Sequence, residues 1–406
     1  MRIGIDARFF GPKAKGLGRY AQKLIEELEK IDDQNDYAVF LRRADFESWQ
    51  PRSPRFKKVL ADYRWYSLAE QFLFPFKLYS QKIDLMHFTH FNAPVLYFKP
   101  YVVTIHDLIL QKFPTAKSTL FGRVNYFFKN IGYKIIIWLV LARAKKIIAV
   151  SQFVKDDIIK SFGVAPEKIS VIYEGAPEPD VIASSARAER SNPADGGDSS
   201  GSPRRFAPRD DESILEKYEI KKPYLLYVGN AYPHKNLLLL AEALKILRRT
   251  GHPNLQLVLV GGEDYFYKKL KQENCDSAGV CFGGGVIFAG FVPDIELEAL
   301  YKNARAYVFP SLCEGFGLPP LEAMAYGVPV AASNATCLPE ILGEAAYYFD
   351  AQDSNDMTAK IREVLADENL RQKLIAQGFE QIKKYSWRAM AEETAGVYLN
   401  VDGRAL

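Results

Sequence analysis

Two carboxylates bracket a glycine- and proline-containing turn in the segment Glu314-Gly-Phe-Gly-Leu-Pro-Pro-Leu-Glu322. An apolar run (306–309) precedes the turn and a helical pattern follows it, so Glu314 is predicted in a loop and Glu322 about one turn inside a helix. Glycine lets the backbone approach a ligand closely, and a helix start offers unpaired N–H groups and a positive dipole end. Carboxylates suit hydroxyls and amides suit an oxyanion, so the segment predicts a nucleotide-sugar site.

A lysine follows another apolar run, in Val228-Gly-Asn-Ala-Tyr-Pro-His-Lys-Asn236. Lys235 stands at a predicted helix start, where a cation is unfavourable. Its position therefore indicates a counter-anion, such as the diphosphate of a departing nucleotide. The alternative is a lysine that contacts only solvent.

Two further turns follow predicted strands in the first half of the chain. His106 comes directly after an apolar run, and it can hydrogen-bond a sugar hydroxyl or carry a proton near neutral pH. A lone histidine is more often structural. Gly16 and Gly18 run into the first helical pattern, where their amides can approach a diphosphate. Their spacing matches neither a dinucleotide fingerprint nor a Walker loop, so a plain turn is the alternative.

These turns need strands and helices that bring them together. Short β-branched runs alternate with longer helical patterns along the chain, which predicts two doubly wound, parallel α/β domains facing a central cleft. The predicted strands are 3–6, 37–41, 85–88, 102–105, 147–150 and 170–173 in the first domain, and 224–228, 256–260, 286–288, 306–309 and 328–331 in the second. Helices are predicted at, for example, 18–30 and 238–249.

A segment of different composition separates the two sets of strands. Residues 183–209 are rich in Ser, Ala, Asp, Gly, Pro and Arg, with one large apolar residue, Phe206. Such a segment cannot bury enough apolar surface to offset the entropy of ordering, so we expect a disordered loop or linker insertion. The domain boundary is expected near 176–182.

The cysteines and the apolar runs indicate the cellular compartment in which we expect the protein. The four cysteines (275, 281, 313 and 337) lack the spacing of a zinc site or a disulfide framework, so we expect reduced thiols in a cytosolic protein. A strand pattern directly follows Met1, which predicts no signal peptide. The longest apolar run, 135–142, is far shorter than the roughly 20 residues of a spanning helix.

The charge is unevenly distributed, although the net charge is only +4. Residues 51–150 contain 16 Lys and Arg, 4 Asp and Glu, and 20 aromatic residues. Basic and aromatic residues together are typical of a surface that rests on anionic lipid. The alternative is that the aromatics are core and the lysines are solvated. No nucleic-acid-binding motif accompanies the charge, so nucleic acid is not an expected partner.

Together these segments resemble glycosyltransferase family 4, which has the two-domain GT-B fold. Glu314 and Glu322 resemble its E-x7-E motif, and segments 16–20, 104–108, 150–153 and 227–236 resemble family segments in the same order. The resemblance covers nearly everything except 183–209. Segments 64–71, 87–92 and 385–387 are similar to a bacterial subgroup that includes mannosyltransferases of surface polysaccharide assembly.

The resemblance implies transfer of a hexose from a nucleotide sugar, with retention of anomeric configuration and without a cofactor or divalent metal. By analogy Glu322 holds ribose hydroxyls, Glu314 holds the donor sugar, His106 contacts that sugar, and Lys235 neutralises the diphosphate. The implied catalytic residues are Glu314, His106 and Lys235. The implied donor-binding residues are Gly16, Gly18, Asn230, Phe316, Gly317, Leu318 and Glu322.

The resemblance also assigns the domains and partners. Residues 1–180 form the acceptor-side domain, 210–385 the nucleotide-sugar domain, and 386–406 a helix that crosses back to the first domain. GDP-mannose is the expected donor, and a lipid-linked or growing glycan is the expected acceptor. The expected location is the cytoplasm, and the basic and aromatic composition of residues 51–150 adds an expectation of peripheral contact at the inner face of the plasma membrane.

One difference from the family pattern and three alternative functions stay open. Asn230 stands where many relatives have an arginine, so a second cation for the diphosphate is missing unless His234 or Arg19 supplies it. A UDP-sugar-dependent glucosyl- or N-acetylglucosaminyltransferase has the same fold. A nucleotide-sugar epimerase would need no acceptor, and a degenerate relative would act as a scaffold without turnover.

Overall fold

The computed structural model describes residues 1–11, 14–113, 123–177, 211–275, 281–282, 284–401 and 403. The chain divides into two compact units. Unit 1 comprises Met1–Gly175 together with Tyr385–Leu406, and unit 2 comprises Ala176–Lys384. The predicted linker, 183–209, lies outside the described residues.

Unit 1 contains a seven-stranded parallel sheet with the strand order β3-β2-β1-β4-β5-β6-β7. Its central strands are apolar and fully buried, as expected when helices cover both faces of a parallel sheet. The strands are β1 Arg2–Asp6, β2 Asp36–Leu41, β3 Phe56–Leu60, β4 Leu85–Phe88, β5 Tyr101–Ile105, β6 Lys146–Ala149 and β7 Ile169–Val171.

Helices connect these strands, and local signals set their ends. For example, the Ser151 side chain accepts a hydrogen bond from the Val154 amide at the start of α7, and Gly163 in the left-handed conformation (φ 64°) ends it. The helices are α1 Lys15–Ile31, α2 Arg43–Ser48, α3 Leu68–Phe72, α4 Phe74–Ser80, α5 Ile109–Lys112, α6 Arg123–Arg143 and α7 Gln152–Phe162, with a 3₁₀ turn at Pro166–Lys168.

Unit 2 contains a six-stranded parallel sheet with the order β10-β9-β8-β11-β12-β13. Its strands are β8 Tyr224–Val228, β9 Gln256–Val260, β10 Val286–Gly290, β11 Ala306–Phe309, β12 Val330–Ser333 and β13 Ala346–Phe349. Its helices are α8 Asp211–Lys217, α9 Leu237–Arg249, α10 Tyr265–Asn274, α11 Asp294–Asn303, α12 Leu318–Ala325, α13 Leu338–Leu342, α14 Ser354–Ala366 and α15 Glu368–Ile382, with 3₁₀ turns at Pro233–Lys235 and Gly343–Ala345.

The last helix, α16 (Trp387–Val401), belongs to unit 1, although the whole of unit 2 precedes it in the sequence. It packs along α1. Tyr398 reaches the sheet, where its hydroxyl lies 2.7 Å from Nδ1 of His87 in β4. Trp387 lies against Gly175, where a Cβ would come within 2.4 Å of the Trp387 ring and backbone. Glycine at 175 is therefore required for this contact.

The predicted α/β class is confirmed, because both sheets are wholly parallel and each reverses its strand order once. Two strands, β3 and β13, are not among the predicted ones. Both are edge strands, and residues that are not fully buried interrupt their apolar pattern. The predicted strand 328–331 begins two residues later, at Val330.

The expectation of four reduced thiols is wrong. Cys275 and Cys281 form a disulfide and also pair as an isolated antiparallel bridge. Cys313 and Cys337 are buried inside unit 2 and are not disulfide-bonded. In the described part of the chain, no helix is long and apolar enough to cross a membrane.

Candidate functional site

In each unit the strand order reverses at one place, and ligands of doubly wound sheets bind at such switch points, outside the carboxyl ends of the strands. In unit 2 the reversal lies between β8 and β11, and in unit 1 it lies between β1 and β4. Three of the four turns singled out from the sequence follow β1, β8 and β11. The fourth follows β5, next to β4.

The unit 2 switch point brings together two predicted catalytic residues. Nζ of Lys235, after β8, donates a hydrogen bond to Oε1 of Glu314, after β11, at 2.5 Å. The two side chains are 13% and 9% exposed. The ammonium also lies 5.5 Å from the centre of the Phe309 ring, at the end of β11. A carboxylate and a cation thus lie side by side, ready to contact adjoining neutral and anionic parts of one ligand.

Asn236 fixes the backbone that carries Lys235. It adopts the left-handed conformation (φ 59°, ψ 33°), which asparagine tolerates better than most residues. Its side-chain amide donates to the carbonyls of Pro310 (3.3 Å) and Ala351 (2.7 Å). The Leu312 amide donates to the carbonyl of His234 at 2.7 Å. These bonds attach the Lys235 turn to the segment that leads to Glu314, so the ion pair is held from both sides.

The loop after Glu314 leads into α12 as the glycine and proline pattern predicts. Gly317 caps the helix in the left-handed region (φ 103°), and a Cβ there would lie 3.0 Å from Cδ2 of Leu338. Prolines occupy the positions after Leu318 and carry no N–H group. The amides that the helix start can offer a ligand are therefore reduced in number, and the prediction for Phe316, Gly317 and Leu318 stays open.

Glu322 lies inside α12, as predicted, and is 8% exposed. Tyr301 of α11 donates its hydroxyl hydrogen to Oε2 of Glu322 at 3.3 Å. The Tyr301 ring stacks on Tyr326, with 5.3 Å between the ring centres. The orientation of Glu322 thus depends on an aromatic pair that sequence reasoning missed, because no short-range pattern links residue 301 to residue 322.

Asn230 has a local structural role. Its side-chain Oδ1 accepts from the Tyr232 amide at 3.3 Å, and its carbonyl accepts from the Tyr227 hydroxyl at 2.7 Å. His234 is the neighbour considered as a substitute cation. Burial, with a further contribution from Lys235, lowers the pKa of His234 to about 4. His234 is therefore neutral near pH 7 and does not supply the missing positive charge in this state.

In unit 1, both ring nitrogens of His106 have partners. Nδ1 lies 2.8 Å from Oε1 of Glu174, and Nε2 lies 2.9 Å from the carbonyl oxygen of Thr89. A carbonyl only accepts, so Nε2 carries a hydrogen, and the Nδ1 contact needs a second proton on His106 or on Glu174. His106 is 8% exposed. The predicted sugar contact of His106 stays a prediction, and Glu174 is a partner that sequence reasoning missed.

Gly16 and Gly18 lie in the first turn of α1, because this helix begins at Lys15, earlier than predicted. Gly18 has a structural reason to be glycine, since a Cβ would lie 2.0 Å from the carbonyl oxygen of Gly11. Ala14 precedes the helix and gives no side-chain cap to the first-turn amides. This arrangement is compatible with the predicted diphosphate contact and leaves it untested.

Two of the segments that resemble the bacterial subgroup, 64–71 and 87–92, join Asp6 and Arg8 in a buried polar network in unit 1. The Arg8 guanidinium binds Asp6 through two hydrogen bonds (2.8 and 2.7 Å) and pairs with Glu70 at 2.8 Å. Glu70 also accepts from the Asn92 side-chain amide and from the Tyr66 backbone amide, both at 2.7 Å, and Asn92 in turn lies 3.0 Å from Nδ1 of His90. The network connects the carboxyl ends of β1 and β4 and gives the turns there a fixed position.

The described residues contain no group of three or more His, Cys, Asp or Glu side chains that could hold a metal ion. Metal independence stays a prediction.

Comparisons with known proteins agree with this arrangement of motifs. Residues 14–177 match the family model of Glycosyltransferase Family 4, and residues 210–381 match that of Glycosyl transferases group 1. O-antigen chain mannosyltransferase B of Escherichia coli is 31% identical over 302 residues, which cover 73% of this chain and 69% of that protein. The chain belongs to glycosyltransferase family 4. The first match covers most of unit 1 and ends two residues beyond its boundary at Gly175, and the second match lies within unit 2.

A second curated relative and two solved structures complete the comparison. O-antigen chain mannosyltransferase RfbU of Salmonella typhimurium is 28% identical over 276 residues, covering 68% of this chain and 63% of that protein. Sucrose-phosphate synthase of Thermosynechococcus elongatus superposes with a TM-score of 0.72 at 21% identity, covering 100% of both chains. Anabaena HepE, solved in complex with UDP and glucose, gives 0.69 at 17% identity, covering 98% of this chain and 100% of that one. The structural likeness shows the fold, and the sequence relatives show a glycosyltransferase.

Proposed function

We propose that this glycosyltransferase moves mannose from GDP-mannose to a lipid-linked or growing glycan in cell-surface polysaccharide synthesis, with retention of anomeric configuration and without a metal. The observation that carries the proposal is the Lys235–Glu314 pair at the unit 2 switch point. The names of the curated relatives, which are O-antigen mannosyltransferases, favour mannose as the sugar.

In the proposed reaction the acceptor hydroxyl oxygen bonds to the anomeric carbon while the bond from that carbon to the diphosphate breaks. The hydroxyl proton passes to the departing phosphate oxygen on the same face of the sugar. Glu314 positions the sugar through its hydroxyls, and Lys235 stabilises the charge that develops on the diphosphate. No carboxylate then attacks the anomeric carbon, unlike in a retaining glycosidase.

The geometry supports this division of roles. A nucleotide sugar has hydroxyls and a diphosphate on either side of one bond, and Lys235 and Glu314 present a cation and a carboxylate within 2.5 Å of each other. Both side chains are largely buried, so their interactions with a ligand are screened less than at the surface. Glu322, one turn into α12, is the proposed ribose contact.

The test is transfer by purified Glu314→Gln protein, which keeps the shape of the side chain and removes its charge. We expect a loss of about a hundredfold or more in kcat, because the lost interaction acts on the transition state. The matched control is Glu298→Gln, which removes the acid of another ion pair in unit 2, Glu298–Lys302 at 2.6 Å on the surface of α11. Transfer by Glu314→Gln at the rate of the control would refute the site assignment.

A second candidate donor is a UDP-sugar, because the HepE structure was solved with UDP and glucose. A thermal-shift panel of GDP-, UDP- and ADP-sugars separates the donors, since a ligand that binds the native state raises the melting temperature. Incubation with donor alone separates transfer from epimerisation, because only an epimerase forms an isomerised sugar without an acceptor. Stabilisation by UDP-glucose and none by GDP-mannose would contradict the proposed donor.

A further inference from the structure

One face of unit 1 exposes an unusual number of large apolar side chains. Seventeen large hydrophobic residues are exposed in the described part of the chain, and ten of them lie between residues 66 and 138. Six lie on α3, on α4, at the junction of these helices or on the segment after β4, and we call them the apolar face: Leu68 (77% exposed), Phe72 (54%), Leu73 (54%), Phe76 (73%), Leu96 (41%) and Phe98 (72%). Soluble monomers seldom leave such a set in water, so the face indicates a binding surface.

Local structure explains why these side chains point outward together. Leu73 joins α3 and α4 with helical backbone angles (φ −94°, ψ −38°), so the two helices run on almost as one. Leu68, Phe72 and Phe76 are spaced by four residues and therefore share one side of this helix. The opposite side is buried, with Phe74 at 0% and Leu78 at 1% exposure. The core contacts of this helix are therefore made by its other side, and the outward side chains are not needed for them.

The segment with Leu96 and Phe98 is fixed beside the helix. The Gln71 side chain accepts from the Val95 amide at 2.9 Å, and the Tyr79 hydroxyl accepts from the Phe98 amide at 2.8 Å. From α6, the Arg143 guanidinium donates to the Val95 carbonyl at 2.6 Å and lies 4.4 Å from the centre of the Phe98 ring. These bonds hold the segment with Leu96 and Phe98 beside the helix that carries the other members of the apolar face.

The charged residues around the apolar face indicate the kind of surface that it binds. From Tyr63 to His106 the sequence contains two acidic residues and four basic ones, namely Arg64, Lys77, Lys82 and Lys99. Glu70 is fully buried against Arg8, and an Asp84 oxygen accepts from the Arg2 amide at 2.8 Å. Exposed apolar and aromatic side chains next to basic ones fit the interface of an anionic bilayer, where rings enter the headgroup region and cations meet lipid phosphates.

We propose that the apolar face docks unit 1 on an anionic lipid surface, with Leu68, Phe72 and Phe76 entering the interface. A second copy of the chain fits less well, because a twofold contact would bring the four basic residues of one copy close to the same four residues of the other. The proposal deepens the proposed function by specifying how the enzyme reaches a lipid-linked acceptor. The surface itself takes no part in donor chemistry.

The test is co-sedimentation of the full chain with vesicles of phosphatidylcholine alone or of phosphatidylcholine with phosphatidylglycerol. We expect binding to the anionic vesicles, and a loss of about tenfold or more in the Leu68→Ser/Phe76→Ser protein, because apolar burial and charge both contribute to interfacial binding. The matched control is Leu238→Ser/Ile295→Ser, which removes two exposed apolar side chains from unit 2 (53% and 68% exposed) and should bind as the unmodified protein does.

Three results would overturn the proposal: no binding to anionic vesicles, equal binding by the Leu68→Ser/Phe76→Ser protein, or a dimer in solution that this substitution dissociates. The last would assign the face to a second copy. Transfer to a water-soluble oligosaccharide acceptor tests the chemistry separately. Vesicle binding without transfer from any donor would refute the proposed function and leave the docking surface in place.

Discussion

The buried histidine His87 leads to a quantitative prediction about pH and stability. It lies between the Tyr398 hydroxyl (2.7 Å) and Oγ1 of Thr104 (2.8 Å), and Thr104 lies 3.0 Å from the Tyr20 hydroxyl. Burial, with a smaller contribution from His106, lowers the pKa of His87 from 6.5 to about 3. The residue therefore joins α16 to the sheet as a neutral imidazole, and protonation would place a positive charge in a fully buried site.

The sign and the magnitude follow from linkage. In the unfolded chain His87 takes up a proton with a pKa of 6.5, and in the folded chain it does so only near pH 3. The contribution of His87 to the free energy of unfolding is therefore fully present above pH 6.5 and declines as the pH falls toward 3. When the pH falls from about 7.5 to about 5.5, protonation of His87 in the unfolded chain should cost unit 1 about 1.4 kcal/mol of its free energy of unfolding. His90, whose pKa burial also lowers to about 3, should cost a similar amount.

The assay uses tryptophan fluorescence during urea unfolding, because all four tryptophans (49, 65, 138 and 387) lie in unit 1. The His87→Gln protein keeps a donor and an acceptor without a titrating ring, so it should lose about 1.4 kcal/mol less than the unmodified protein over this pH range. Tyr398→Phe is the matched control, since it removes one hydrogen bond and leaves the titration. An unchanged pH dependence in His87→Gln would refute the reasoning.

Four further predictions concern single contacts. Gly317→Ala should destabilise unit 2 by about 1–3 kcal/mol, measured by circular dichroism, because alanine is strained at φ 103° and its Cβ meets Leu338. Asn236→Ala should destabilise unit 2 more than Asn236→Gly, since both lose the bonds to Pro310 and Ala351 but glycine tolerates the left-handed backbone. Glu174→Ala should cost unit 1 about 1–3 kcal/mol by tryptophan fluorescence, whereas Glu174→Gln should cost less because its side-chain amide can still hydrogen-bond Nδ1 of His106. Alkylation of the unfolded, unreduced chain should label two cysteines, and labelling of four would contradict the Cys275–Cys281 disulfide.

Much of the fold was predictable because central strands of a parallel sheet have continuous apolar sequences. Eleven of the thirteen strands seen in the described residues overlap a predicted one. The two that do not, β3 and β13, are edge strands, and in β3 two adjacent lysines interrupt the apolar run. A strand that is exposed along one side does not need a continuous apolar sequence, so its pattern is weaker.

The partners of the site residues were less predictable than the residues themselves. Local patterns placed His106 and Glu322 correctly at the end of a strand and inside a helix. They gave no indication of Glu174 or Tyr301, because a hydrogen bond across a sheet or between two helices leaves no periodic signal in the sequence. The partner of the Asn230 side chain, the Tyr232 amide, was equally unpredictable from local patterns, and the effect of Asn230 on diphosphate binding stays a prediction.

Strand order explains why the ion pair at the unit 2 switch point was within reach of sequence reasoning. Lys235 and Glu314 are 79 residues apart, and two complete strand-and-helix repeats separate them. A doubly wound sheet places β9 and β10 on one side of β8 and returns to β11 on the other, so the turns after β8 and β11 become neighbours. Once parallel topology is predicted, charged residues in those two turns are expected to meet. The identity of the sugar has no such geometric rule, because it depends on side chains around the hydroxyls, and the donor panel must decide it.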